Sequence, residues 1–329
     1  TDALRMGKEF GNRGQCNPTY FTVGNLVKTL VQMRDGGIPT ETIIGRYIFL
    51  TAGACGPCRF GSYVTEYRKA LRDAGFDGFR VILFQQTGGL NQVEEGVAEA
   101  GLKLDLSFFI RLVLSIMIGD VMNGLMYRIR PYEVEPGATD AAIDRCRALV
   151  IAALEKSDAP RHLPLALIKV RRELAAVKVD RTRVKPKVGI IGEFWAMTTE
   201  GDGNYKMPRF LESEGAEVEV QFVTAWLLYM LWEVRWDTKR RMGLKGEDGG
   251  RWGLKDGNPR KTIAMVKAGD VAVRAIFQTL AYTMGLGRYI LPDMDELARV
   301  AEGLYLSESR GGEGHMEVAK VILNTLNNK

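Results

Sequence analysis

Thr22, Leu26, Leu30 and Met33 give 17–33 the period of an amphipathic helix, which is predicted to start directly after Cys16. A short β-rich run follows at Tyr47, Ile48, Phe49, Leu50 and Thr51, and then a glycine-rich turn that carries Cys55 and Cys58. Residues 63–74 read as a helix stopped by Gly75, and 80–84 as a second buried strand. Strand, turn, helix and strand at this spacing make a βαβ unit, which implies a parallel sheet.

From 104 to 179 the pattern is almost wholly helical, with breaks expected near Pro131 and across 160–164. A second α/β unit begins with an apolar strand at 187–192, continues through a helix at 207–214 ended by Gly215, and returns as a strand at 216–220. Trp226, Tyr229, Trp232 and Trp236 fall at helical spacing, the pattern of a core face or subunit interface more than of a cofactor box. The chain closes on a helix at 318–326. The predicted class is α/β: a first lobe over 1–103, a helical connector over 104–184, and a second α/β lobe with a helical end over 185–329.

Composition narrows the function. A 46% hydrophobic and 26% charged chain of 329 residues is ordinary globular protein, long enough for two domains. A net charge of +5 falls well short of a nucleic-acid-binding balance. The greasiest stretch, 104–126, contains Asp105, Arg111 and Asp120, so it reads as a buried helix and not as a membrane span. Between Arg235 and Lys261 nine Lys/Arg face four Asp/Glu in a polar, glycine-rich stretch, read as a solvated loop with a second reading as a docking surface for an acidic partner or nucleotide tail. Four cysteines without a secretory signal suit a reducing, cytoplasmic setting, where close thiols serve as metal or redox ligands. The chain begins without Met, the pattern of a processed, tagged or split product.

Cys16, Cys55 and Cys58 are each bracketed by Gly or Pro, a context that lets backbone fold round an inorganic core and point N–H groups at it. A close pair plus a distant cysteine is a common way to hold an iron–sulfur cluster. Cys55-Gly56-Pro57-Cys58 between strand and helix is also the tetrapeptide of thioredoxin-like redox proteins, although Gly53-Ala54 stands where those proteins usually place an aromatic residue. A structural zinc would want a fourth ligand, and His162 and His315 lie in other environments. Three unconnected cysteines in turns are the plain alternative. Cys146, on a helix between Arg145 and Arg147, reads as an ordinary thiol.

The strings Gly11-Asn12-Arg13-Gly14-Gln15-Cys16-Asn17-Pro18-Thr19 and Gly53-Ala54-Cys55-Gly56-Pro57-Cys58-Arg59-Phe60-Gly61 resemble the cluster-ligand motifs of the 2-hydroxyacyl-CoA dehydratase D-component family. Similar elements occur in the CoA-substrate-specific activase-related and double-cubane proteins. Gly119-Asp120, Arg130-Pro131-Tyr132-Glu133, 187–193 and 311–315 extend the likeness over most of the chain. The resemblance implies two flavodoxin-like lobes and a [4Fe–4S] or larger double-cubane-type cluster on Cys16, Cys55 and Cys58. It also implies an ATP-hydrolysing activator that injects low-potential electrons, an anaerobic setting, and a homodimer or a subunit of a larger complex. In dehydratases of this kind the open iron binds a thioester carbonyl and a ketyl radical drives loss of water. The chain departs from the pattern at its end, where relatives are expected to continue into another strand and a Gly-Cys loop. No Gly-x-x-x-x-Gly-Lys-Ser/Thr motif is present, so ATP chemistry is expected in a partner.

Other residues complete the expected site. Gln85, Gln86 and Thr87 follow the second strand, where amides could hydrogen-bond cluster sulfides. Arg59 would offset cluster charge or contact an anionic partner. Glu193, after the 187–192 strand, is a candidate acid/base at a strand's carboxyl end, or simply a surface or capping residue. His315 is expected to cap the last helix. Three functions remain: a dehydratase- or reductase-like redox enzyme, a non-catalytic electron relay in a complex, and a thiol–disulfide oxidoreductase.

Overall fold

The computed structural model describes residues 2–53, 59–85, 106–156, 158–193, 201–242, 244, 258–306 and 314–326. The chain divides into two compact units, one formed by Thr1–Phe109, Thr199–Lys206 and Ser309–Gly312, the other by Ile110–Thr198, Met207–Glu308 and Glu313–Lys329. Among the described residues the protein is mostly helical, with two small parallel sheets of two strands each.

In the first unit, helices α1 (Asp2–Phe10) and α2 (Asn17–Asp35) cross at backbone distance. A methyl group at Gly7 would collide with the Tyr20 carbonyl, and one at Gly24 with the Ala3 carbonyl. The opposite stripe of α2 (Val23, Leu26, Val27 and Leu30) builds the core with Ile43 of α3 (Thr40–Arg46) and Tyr63, Tyr67, Ala70 and Leu71 of α4 (Tyr63–Asp73). Each such side chain contributes about 1.5–3 kcal/mol relative to leaving it in water. Gly75, expected to stop α4, adopts φ +85°, and the Phe76 N–H then donates to the Leu71 carbonyl at 2.8 Å. That turn drops Phe76 into the core. Strands β1 (Ile48–Gly53) and β2 (Arg80–Gln85) pair in parallel, Ile48 beside Arg80 and Gly53 beside Gln85, as the βαβ reading predicts.

The second unit is built on α5 (Leu106–Ile129), α6 (Ala138–Leu154) and α7 (Ala159–Ala175). Strands β3 (Lys187–Ile190) and β4 (Glu217–Val220) pair in parallel around α8 (Met207–Ser213). Helices α9 (Val223–Arg241), α10 (Pro259–Met284), α11 (Met294–Ala301) and α12 (Gly314–Leu326) follow. Three expectations change here. Pro160 and Pro164 lie within α7, Pro160 in its first turn where a missing N–H costs no helical bond, so the break falls before them. The polar stretch from Arg235 is helical at both ends, because α9 runs to Arg241 and α10 begins at Pro259; 243 and 245–257 lie outside the described residues. His315 does not cap α12: it is buried in the first turn, its ring 5.0 Å from Trp232 and 5.3 Å from Tyr229. Burial pushes its imidazole down to about 4.

Among the described residues one helix, Ser107–Tyr132, is long and apolar enough to cross a bilayer, with 39% of its most apolar window buried in the protein. Asp120 lies in the buried part of this helix. At 4% exposure its carboxylate accepts the Val223 N–H at 3.0 Å, the Thr224 N–H at 2.6 Å and the Thr224 hydroxyl at 2.5 Å. Phe222 provides no side-chain cap, so Asp120 serves as a remote cap on the orphan donors of α9.

Desolvation still outweighs these bonds and pushes the Asp120 carboxyl up to about 6. A raised carboxyl pKa favours the folded state most fully below the unfolded value of about 4, and that contribution is lost as pH rises through 6. His315 has the opposite sign, losing stability as pH falls towards 4, so wild type alone would mix the two. The expected result lies in the difference between wild type and Asp120→Asn. By urea unfolding, the destabilisation by the variant should shrink by about 2 kcal/mol between pH 4 and pH 7; a constant difference would exclude the raised pKa.

Candidate functional site

Cys16 occupies the position just before the first turn of α2, with φ −59° and ψ 145°, and its thiol makes no capping bond. Pro18 sits in that first turn, where its missing N–H is harmless and its ring presets the helical φ. The thiol is free and half-buried against the core of its unit. It therefore stands at the amino end of α2, the positive end of the helix dipole.

The loop that presents Cys16 is tied down from a distant part of the chain. Glu66, buried in the first turn of α4, accepts the Asn12 N–H at 3.1 Å, the Asn12 side-chain amide at 2.8 Å and the Gln15 side-chain amide at 3.1 Å. Arg59 donates to the Gly14 carbonyl at 3.1 Å, across a turn in which Gly14 takes φ +76°. Tyr20 completes the loop, donating to the Asn12 carbonyl at 3.0 Å and accepting the Gln15 N–H at 3.3 Å. Asn12, Gly14, Gln15 and Pro18 of the first cysteine motif thus each have a local structural task.

Residues on α2, β1 and α4 are set to one level by Tyr67. Its phenol shares hydrogen bonds with Thr22, in the second turn of α2, and Thr51, near the carboxyl end of β1, while burial raises its pKa. Phe49 packs on the Tyr67 ring at 5.0 Å, edge to face. The start of α2 therefore lies at the carboxyl end of β1, the end at which open α/β sheets bind ligands. Strand β1 ends at Gly53, and the described chain resumes at Arg59 in the short 3₁₀ helix Arg59–Ser62.

Cys55 and Cys58 lie within 54–58, outside the described residues, as do Gln86 and Thr87. Gln85 is the last residue of β2, beside Gly53, so its backbone sits at the same end. Glu193 belongs to the second unit, exposed three residues beyond β3, and 194–200 lie outside the described residues. Among the described residues no three His, Cys, Asp or Glu side chains gather closely enough to hold a metal ion. Cys146 is buried, its thiol 3.8 Å from the Val170 carbonyl and pushed up to about 11 by burial, so it is an inert core thiol. Tyr229 and Trp232 are core residues and Trp226 and Trp236 pack against them, the core-face reading of that stripe.

Sequence reasoning passed over three residues of this region. Glu66 carries a visible signal, a carboxylate inside the apolar stripe Tyr63, Tyr67, Ala70 and Leu71 of α4. Thr19 continues the core stripe of α2 as its one polar member at that end. Tyr205 comes from a distant segment, its phenol 3.3 Å from the Asn17 side-chain oxygen and its ring 6.1 Å from that of Phe21. No local pattern marks it. Comparison of the chain with family models, curated proteins and solved structures finds no match.

Proposed function

We propose that the chain is an iron–sulfur redox protein in which Cys16, Cys55 and Cys58 hold a [4Fe–4S] or larger double-cubane-type cluster. Its electrons would come from an ATP-hydrolysing activator, and its chemistry would be dehydratase- or reductase-like. One observation carries the reading: the loop bearing Cys16 is bonded to Arg59, the residue after Cys58, and to Glu66, eight positions after it in α4. These long-range ties support the reading by holding the Cys16 loop against the segment that follows the second cysteine motif in the sequence.

The residues present fit such a group. Cys16 is an uncapped free thiol at a helix start, α4 begins at the same end, and the buried Thr19 hydroxyl nearby has no partner among the described residues. When bound, the cluster supplies one-electron chemistry at low potential. The chain's own part is to stabilise thiolates with two helix dipoles, to balance their charge with Arg59, and to hold the Cys16 loop rigid through Glu66. In this reading each two-stranded sheet is the described part of a flavodoxin-like lobe, the protein is cytoplasmic, and it works as a homodimer or within a larger complex.

Protein purified without exposure to air should be brown, contain about four irons and matching sulfide per chain, and give an EPR signal on reduction. Turnover of acyl-CoA thioesters only with activator and ATP would mark a dehydratase; reduction of the cluster without turnover would mark a relay. A second reading has its own support, since β1 and the Arg59–Ser62 helix flank Cys55-Gly56-Pro57-Cys58 as strand and helix flank a thioredoxin-like pair. Colourless protein with a titratable Cys55–Cys58 disulfide would replace the cluster by thiol–disulfide exchange.

A further inference from the structure

Thr19 is fully buried, at 0% exposure, and its hydroxyl has no hydrogen-bond partner among the described residues. That is unusual for threonine in a helix, which commonly donates to a carbonyl one turn earlier. Thr22 does so, to Pro18 at 3.0 Å and Thr19 at 3.2 Å. Thr19 does not, and the Cys16 carbonyl one turn before it already accepts the Thr19 N–H at 3.0 Å. A buried hydroxyl that bonds to nothing is costly, so its retention calls for an acceptor.

Geometry says where that acceptor would be. Thr19 lies three positions from Cys16 and four from Val23, on the stripe of α2 that faces α4 and the sheet and not the face that crosses α1. Helical Cα–Cβ bonds lean towards the amino end, so the side chain is presented towards Cys16 and the carboxyl end of β1. A threonine hydroxyl has one O–H to donate, and sulfur carrying negative charge is a suitable acceptor.

We infer that the Thr19 hydroxyl donates a hydrogen bond to sulfur of the bound cluster, the Cys16 thiolate or an adjacent sulfide, and thereby sets its reduction potential; the inference rests on the cluster reading above. Charge on sulfur is larger in the reduced state, so the donor stabilises that state and raises the potential. Thr19 is a positioning and tuning residue and takes no part in bond making.

The test is Thr19→Val, near-isosteric and lacking only the donor, beside Thr19→Ser, which restores it. Iron and sulfide are measured in each protein, and the midpoint potential by anaerobic titration followed by EPR. Thr19→Val should keep its iron, shift to a more negative potential and lose iron faster to a chelator, with Thr19→Ser returning towards wild type. Its metal-free form should melt at or above the wild-type temperature, because the partnerless hydroxyl is gone. An unchanged potential at full iron content overturns the inference and leaves the cluster reading standing. A lower melting temperature of the metal-free variant also overturns it, by showing that the hydroxyl serves the fold. Wild-type protein without iron overturns both.

Discussion

Cys16→Ser protein, purified without oxygen, should retain almost no iron while folding as well as wild type. Serine is among the best residues at the position before a helix, and Cys16 makes no capping bond there, so the substitution adds a cap of about 0.5–2 kcal/mol. Stability and iron retention are thus expected to move in opposite directions. The ligand loss should exceed the roughly 10–100-fold in metal affinity that follows removal of a residue merely hydrogen-bonded to a ligand. Dithiol exchange at Cys55 and Cys58, measured with a chromogenic disulfide, should persist. Iron and sulfide assays with thermal melts decide the matter, and full iron in the serine variant would falsify shared ligation by Cys16.

The second large effect lies in the second unit. Arg130 is 6% exposed, and its guanidinium grips Glu212 through two bonds of 2.7 and 3.1 Å, with Asp140 at 3.4 Å and the Tyr127 ring 5.3 Å from its carbon centre. Glu212 is itself only 8% exposed. Taking away one side of such a pair leaves a carboxylate desolvated opposite a cavity, and Arg130→Ala should cost about 3–5 kcal/mol by urea unfolding. Replacing both partners together, Arg130→Met with Glu212→Leu, should cost less than the single change, because no charge is then left in the core. A single-variant loss below about 1 kcal/mol would mean the pair is solvated in solution.

The same residues show why Arg130-Pro131-Tyr132-Glu133 stands out in the sequence. Tyr132 donates to Glu217 at 2.7 Å, and Glu133 accepts the Gly137 and Thr139 N–H groups at 2.7 Å each, capping α6. All three polar side chains have structural partners within the unit. A distinctive string is in this case a folding element, and it lends the functional reading no weight of its own.

Local signals proved sufficient where local chemistry decides. The helix after Cys16, the strand pair at 48–53 and 80–85, and the stop at Gly75 follow from spacing and from a glycine that takes positive φ. Reading failed where a distant partner decides. His315 looks like a cap because glycines precede it, yet the aromatic rings of α9 supply a better environment for a neutral imidazole. Asp120 reads as a charge that spoils a membrane span, and its true partners lie about a hundred residues on, at Val223 and Thr224. The candidate site divides the same way: its cysteines are visible as motifs, whereas Glu66, Thr19 and Tyr205 matter only through contacts that folding creates.

The clasp formed by Glu66 has a bearing on the order of assembly. Its bonds to Asn12 and Gln15 join positions more than fifty residues apart, so they close only after α4 has docked. Until then the segment ahead of α2 is held only by the packing of α1 on α2 and by the bonds of Tyr20 to Asn12 and Gln15. Fixing the loop that carries the Cys16 thiol is therefore a late step of folding, completed only once α4 is in place.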